Sequence, residues 1–147
     1  MFWRVLGNRN TVTQIAGRHR VILTYGRFDQ FGQNHIRLLR GLAALGDELI
    51  VGCASDNFAQ LQGHPCLQSF KMRRAMLDKC RFVSRVITEE SFEQKHTDVI
   101  NYNVSVLAIR AAWAGQCDDL RDITQVHYLP DHEEVNAHLG TRHTALA

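Results

Sequence analysis

No apolar run in this 147-residue chain approaches the roughly 20 residues that a membrane-crossing helix needs, so no membrane span is expected. No charge dominates either. Seventeen Lys and Arg stand against 15 Asp and Glu, a net of +2, too little for the field that a nucleic-acid or membrane-surface partner would need. The four cysteines, Cys53, Cys66, Cys80 and Cys117, include no C-x-x-C pair. They read as reduced thiols that serve as small core residues, not as a disulfide framework or a metal site. His127, His132, His138 and His143 gather late in the chain, but their spacings match no zinc signature, and no metal site is expected. Met1–Asn8 is too short and too interrupted for a signal peptide. Repeats and low-complexity tracts are missing. These absences leave a cytoplasmic protein of one domain, long enough to bury a core.

Residues 20–39 carry the most information. The apolar run Val21–Tyr25 reads as a buried strand, and Gly26 breaks it. A polar loop follows, then an amphipathic segment, Ile36–Leu45. Its apolar residues Ile36, Leu38, Leu39, Leu42 and Leu45 follow a helical period. Strand, glycine turn and helix start, in that order, aim free backbone N–H groups and the positive end of a helix dipole at an anion. Every α/β protein contains such junctions, so the pattern alone does not make a phosphate site.

Strand and helix signals alternate through the rest of the chain. Glu48–Ala54 reads as a strand after a helix stopped by Gly46. Residues 57–68 read as a loop with Gly63 and Pro65. Ser69 is a candidate N-cap for a helix to about Lys79. Val83–Thr88 is a predicted strand. Ser91 and Gln94 fit a capping box, which predicts a helix over Phe92–Asn101. Val104–Ile109 and Gln125–Leu129 are further strands, and Val135–Leu139 a short last helix before Gly140. Helices between apolar strands predict an α/β, Rossmann-like parallel sheet with helices on both faces. Ligands of such sheets bind beyond the strands' carboxyl ends where strand order reverses, which points to Tyr25–Asp29.

The stretch TYGRFDQFGQNHIRLLRGLAALGDELIVGCASDNF resembles the small cytidylyltransferases, above all the glycerol-3-phosphate cytidylyltransferases. That family shows T-x-G-x-F-D at a strand end, H-x-G-H opening a helix, and S-T-D-x-F after a second strand. Thr24, Gly26, Phe28, Asp29, His35, Asp47, Asp56 and Phe58 match. The likeness continues through Arg73, Phe92–Ile100, Trp113 and Val126–Pro130, and spans roughly residues 20–138. It implies a nucleotidyltransferase fold over residues 20–140, with an extension at 1–19 and a tail at 141–147. It also implies a nucleotide or phosphate site built from Thr24, Tyr25, Gly26, Phe28, Asp29, Gly32, Asn34, His35, Arg73 and Arg110. His35 would be the catalytic residue if activity is kept, with CTP and Mg²⁺ required only in that case.

The departures from the pattern bear on activity. Gly32 stands where the family has its first motif histidine, and Asn34 replaces the motif glycine. Residues 57–68 contain neither lysine nor arginine, and Gln62 and His64 stand where family lysines would. Arg73 or its neighbour Arg74 remains, on a helix with a basic face of Lys71, Arg73 and Arg74. G-D-D-W becomes Arg110-Ala111-Ala112-Trp113, and a C-terminal motif of arginine and hydroxyls becomes one bearing Asp131, Glu133 and Glu134. Arg27 and Arg110, each at a strand's carboxyl end, are the candidate replacement cations.

Two functional readings follow. One is a degenerate cytidylyltransferase-like protein, weak or inactive, that acts as a ligand-binding or assembly partner. The other is an active nucleotidyltransferase of altered substrate, with a reduced site around His35, Arg73 and Arg110. The resembled enzymes commonly pair, so a homodimer is expected. Phe2, Trp3, Val5 and Leu6 lie outside the domain, either as an arm that packs on this or a neighbouring subunit or as a loose end.

Overall fold

Five strands form one sheet: β1 (Val21–Gly26), β2 (Glu48–Ala54), β3 (Arg85–Glu89), β4 (Val106–Arg110) and β5 (Gln125–Leu129). All pairings are parallel, in the order β3-β2-β1-β4-β5. The structure is a computed structural model and describes residues 18–130. Four helices connect and cover the strands: α1 (Gln33–Ala43), α2 (Asp56–Leu61), α3 (Phe70–Lys79) and α4 (Gln94–Asn101).

The strands are apolar throughout because both faces of the sheet are buried. In β1, Val21, Leu23 and Tyr25 enter one core with Val99 of α4, Val104, Leu107, Ile109 and Leu120. Ile22 enters the other with Leu39 and Leu42 of α1, Leu77 of α3, and Val86. Period-two alternation in a central strand thus feeds two cores, and the fold is the expected Rossmann-like α/β sheet. The chain builds outward from β1 to β2 and β3, then returns to lay β4 on the other side of β1. Strand order reverses between β1 and β4, and their carboxyl ends frame the crevice where ligands of this architecture bind.

Several boundaries differ from those read in the sequence. Helix α1 begins at Gln33, three residues before the amphipathic pattern, because its first turn is polar. Residues 57–68 are not wholly a loop. Ser55 Oγ accepts the Phe58 N–H at 3.0 Å and caps α2, while Phe58 and Ala59 are buried beneath it. That helix was open to a capping argument, since serine followed by aspartate is a common helix start. The capping box of α4 is formed: Gln94 N–H donates to Ser91 Oγ at 3.3 Å, and Ser91 N–H to Gln94 Oε1 at 3.0 Å. The helix itself starts at Gln94, not Phe92. Strands β3 and β4 begin two residues later than expected and each runs one residue further. Val135–Leu139 and the apolar Phe2–Leu6 lie outside the described residues.

Gly52, inside β2, has a steric reason. A Cβ there would stand 2.4 Å from Tyr25 Cδ1, so the tyrosine ring occupies the space a side chain would need. That ring is itself fixed, because Tyr25 OH donates to Asp98 Oδ2 at 2.6 Å. Gly32, by contrast, has an extended backbone and only the Gln30 carbonyl oxygen near a built Cβ, at 3.7 Å. Gly52→Ala is expected to lower unfolding free energy by about 1–3 kcal/mol through overpacking. Gly32→Ala should change it by no more than about 1 kcal/mol. Urea unfolding of the two variants checks the contrast, and equal effects would contradict it.

Candidate functional site

The loop after β1 is built from an unusual backbone. Phe28 and Gln30 both take left-handed conformations, with φ of 52° and 50°. A bulky residue rarely does so unless its surroundings hold it there. Three ties hold this loop. Asp29 accepts the backbone N–H groups of Leu67 and Gln68 at 2.7 and 3.0 Å. Gln30 N–H donates to Gln68 Oε1 at 3.1 Å. Arg73 Nη1 donates to the Arg27 carbonyl oxygen at 2.9 Å. Burial raises the pKa of the Asp29 carboxyl, but the two backbone N–H groups and the nearby Arg73 and Arg27 outweigh it and hold it below the usual range.

Arg73 corrects the expected basic helix face. It is fully buried, whereas Lys71 is exposed and Arg74 is half-buried. Besides Arg27, its guanidinium donates to the Ala54 carbonyl oxygen at 2.8 Å, to the Gln68 carbonyl oxygen at 3.0 Å and to Asp56 Oδ1 at 2.8 Å. The Asp56 carboxyl, which also accepts the Phe70 N–H, is held below its ordinary range by that bond first and by Arg73 second. The one family-matched arginine of α3 therefore joins the ends of β1 and β2 to the start of α3.

His35 sits on the first turn of α1. Its Nδ1 accepts the Gly32 N–H at 3.1 Å, so the neutral ring carries its proton on Nε2. Phe31 stacks on the imidazole with centroids 5.4 Å apart, and Phe28 meets it at 5.5 Å. Asn34, on the same turn, accepts from Arg37 Nη1 at 2.8 Å.

A shallow, open cleft lies at the carboxyl ends of the central strands. Its walls are Tyr25, Gly26 and Arg27 after β1, Ile109, Arg110 and Trp113 after β4, and Glu89, Lys95 and Gln62. Of the residues singled out in the sequence, Tyr25, Gly26, Arg27, Gln62, Arg110 and Trp113 line it. Thr24 does not, since its hydroxyl donates to the Ala108 carbonyl oxygen at 2.8 Å inside the sheet. Phe28, Asp29, Gly32, Asn34, His35 and Arg73 lie outside its walls, so His35, Arg73 and Arg110 do not form one cluster there. Gly26 matters because a Cβ would stand 2.9 Å from the Phe28 ring.

Two wall residues escaped the sequence reading. Lys95 Nζ lies 3.1 Å from Glu89 Oε2, both buried, with the ammonium over the rings of Tyr25 (4.4 Å) and Phe92 (4.3 Å). Burial pushes the Glu89 carboxyl up, and the attraction of Lys95 only partly offsets it. Glu89 ends β3, and the strand-end rule applied there as at β1 would have found it. Lys95 falls within a stretch that already carried the family likeness. Among the described residues Glu89 is the one carboxylate that lines the cleft, and it is paired with Lys95.

Replacing Arg73 tests its central position. Arg73→Lys keeps the charge but loses the planar fork, and unfolding free energy should fall by about 2 kcal/mol. Arg73→Met, which strands three carbonyl groups, should cost about 3 kcal/mol or more. Urea unfolding gives both values, and losses under about 0.5 kcal/mol would show that the guanidinium is dispensable.

Residues 23–132 match the family model described as cytidylyltransferase-like. The chain is 36% identical over 115 residues to the glycerol-3-phosphate cytidylyltransferase of Bacillus subtilis, covering 78% of this chain and 89% of that protein. It is 35% identical over 115 residues to the Staphylococcus aureus protein of the same name, covering 78% and 87%. A solved structure with a similar fold is the lipopolysaccharide core biosynthesis protein of Thermoplasma volcanium. Its TM-score is 0.65 at 21% identity, over 78% of this chain and 97% of that one. With its crevice at the β1–β4 reversal and this family model matched across most of its length, the chain belongs to the cytidylyltransferase-like family.

Proposed function

We propose that the cleft binds a phosphorylated small molecule or nucleotide, and that the chain has little or no cytidylyltransferase turnover and acts as a ligand-binding or assembly partner. Joining a phosphate ester to a nucleotide's α-phosphate needs no strong base, because the attacker is already an anion. It needs positioning and cations where charge accumulates. The observation that carries this reading is the wall contributed by residues 57–68. It presents Gln62 to the cleft, in a segment without lysine or arginine. Gly32, which caps α1 without a side chain, adds to it. Each missing donor to a developing oxyanion typically costs about 10²–10³ in rate.

A second reading, an active transferase with an altered substrate, has one observation in its favour. His35 is fixed on the first turn of α1 by the Gly32 N–H and by two aromatic rings, as a positioned side chain would be. A cytoplasmic location belongs to the same proposal. It is supported by four thiols without a disulfide, of which Cys53 and Cys117 are buried.

Incubation with CTP, Mg²⁺ and glycerol 3-phosphate is expected to release no pyrophosphate above a blank. Turnover on the order of 1 s⁻¹ or more would favour the second reading. Gly32→His combined with Gln62→Lys, which adds two donors, should raise the rate above the blank, and the backbone at Gly32 accepts a Cβ without a clash.

Homodimer formation is also proposed. Met72 and Met76 lie one turn apart on the outer side of α3 and are exposed, and Leu61 and Leu67 before it are three-quarters exposed. Apolar patches on a surface commonly mark an interface. Light scattering at micromolar concentration should give twice the chain mass, and Met72→Lys with Met76→Lys should lower it. A mass of one chain in the parent protein would overturn the dimer.

A further inference from the structure

The net charge of +2 conceals a separation. Helices α1 and α3 cover the same face of the sheet, since Leu39, Leu42 and Leu77 share one core. The outer surface of that layer, with the turn after α3, carries six cations: Arg37, Arg40, Lys71, Arg74, Lys79 and Arg81. One carboxylate stands among them, Asp78, which pairs with Arg74 at 3.6 Å. Helix α4 and the 3₁₀ turn Asp118–Asp122 cover the other face, where Val99 and Leu120 share the second core. That layer, with the residues leading into α4, carries Glu90, Glu93, Asp118, Asp119 and Asp122 exposed and Asp98 half-buried. Among its described residues the exposed cation is Arg121, which lies 3.3 Å from Asp118. Arg73 and Lys95 belong to neither surface, because each is buried against its own carboxylate.

Both surfaces also expose apolar side chains. Leu38, Met72 and Met76 lie within the basic one, and Ile100 and Ile123 within the acidic one. An apolar patch ringed by charge of one sign fits a patch ringed by the opposite sign. This molecule carries both, on opposite faces of one sheet. A twofold pairing through α3 would set the cations of one copy against those of the other, and like charges across an interface oppose docking. Basic face on acidic face is a heterologous contact instead, and it leaves one face of each kind open at the ends.

We infer that a second copy of this chain docks its α4 face onto the α1–α3 face of the first, so that the association begins as a pair and lengthens with concentration. The inference rests on the reading that copies of this chain associate, and it names the two unlike surfaces that meet.

Light scattering of the full chain at rising concentration should show a mass that climbs past two chains. Raising the salt from about 0.1 to 1 M, which shortens the Debye length from about 10 to 3 Å, should weaken the association by about tenfold or more. Two triple variants separate the faces. Arg40→Glu, Lys71→Glu and Lys79→Glu together turn the basic face acidic. Glu93→Lys, Asp119→Lys and Asp122→Lys together turn the acidic face basic. None of these six side chains makes an ion pair among the described residues, so the fold should tolerate the changes. Each variant alone should stay a single chain. Their equimolar mixture should form a pair that goes no further, because each supplies one unaltered face. Should a triple variant unfold, Lys71→Glu and Asp122→Lys singly should each weaken the association, and no weakening by either overturns the inference. If the lysine variant associates alone as well as the parent, the contact is twofold through α3; the assignment of faces falls and the association reading stands. Association indifferent to salt has the same consequence. A parent of one chain mass at every concentration overturns both, and its sedimentation with anionic phospholipid vesicles would then assign the basic face to a lipid surface.

Discussion

The buried guanidinium of Arg73 is the interaction on which the rest of the site depends. It has no exposure to water and satisfies carbonyl oxygens of Arg27, Ala54 and Gln68 together with the Asp56 carboxylate. Those partners belong to the loop after β1, the end of β2, the entry to α3 and the start of α2. A parallel sheet leaves its last carbonyls unpaired at the carboxyl edge, where a buried acceptor without a donor costs about 1–3 kcal/mol. One planar cation meets the carbonyl at the end of β2, that of Arg27 just past β1, and that of Gln68 at the entry to α3. Asp56 supplies the opposite charge from a side chain that is 59% exposed, so the pair is only half withdrawn from water. That arrangement avoids much of the desolvation cost of a fully buried ion pair.

Once the edge is fixed, an otherwise unfavourable loop becomes possible. Phe28 and Gln30 with positive φ cost on the order of 1–3 kcal/mol each, and such backbone persists only where its surroundings over-determine it. Here Arg73 takes the carbonyl of Arg27, Asp29 takes two N–H groups of the facing segment, and Gln68 returns a bond to Gln30. The turned backbone lays the Phe28 ring over Gly26 and against His35. The conformation of β1's exit thereby sets the position of the first turn of α1.

The charges of this protein divide by task. Arg73 and Lys95 are buried and paired, and they build the walls. Lys95 does so from the other side of the sheet, under Glu89 and over the Tyr25 and Phe92 rings. The Phe92 ring in turn stacks on Trp113 at 4.8 Å. Arg27 and Arg110 are half-buried in the cleft wall, near the Asp29 and Glu89 carboxylates respectively. A cation contributes to ligand binding only where the fold has not already consumed its donors, and identity of residue type across a family does not reveal which case holds.

Local chemistry settled most of the framework in advance. Apolar runs such as Leu49–Ala54 are strands because two buried faces need them, and Ser69 and Ser91 begin helices because their oxygens meet free N–H groups nearby in the chain. The likeness to the cytidylyltransferases reads from motifs spread over the chain, and with the alternation of elements it gave the fold. The site was less open to that reasoning. Arg73 read as a phosphate-site residue on a basic helix face with Lys71 and Arg74, yet its partners lie 5 to 46 positions away and only packing brings them together. Lys95 and Glu89 are six residues apart, and nothing in that spacing says that both are buried at a cleft. Charge and helical period are properties of a segment, so they are fixed by order along the chain. Which way a charged side chain turns, and whether its donors are spent inside or left for a ligand, is fixed by the carbonyls and rings that distant segments place around it.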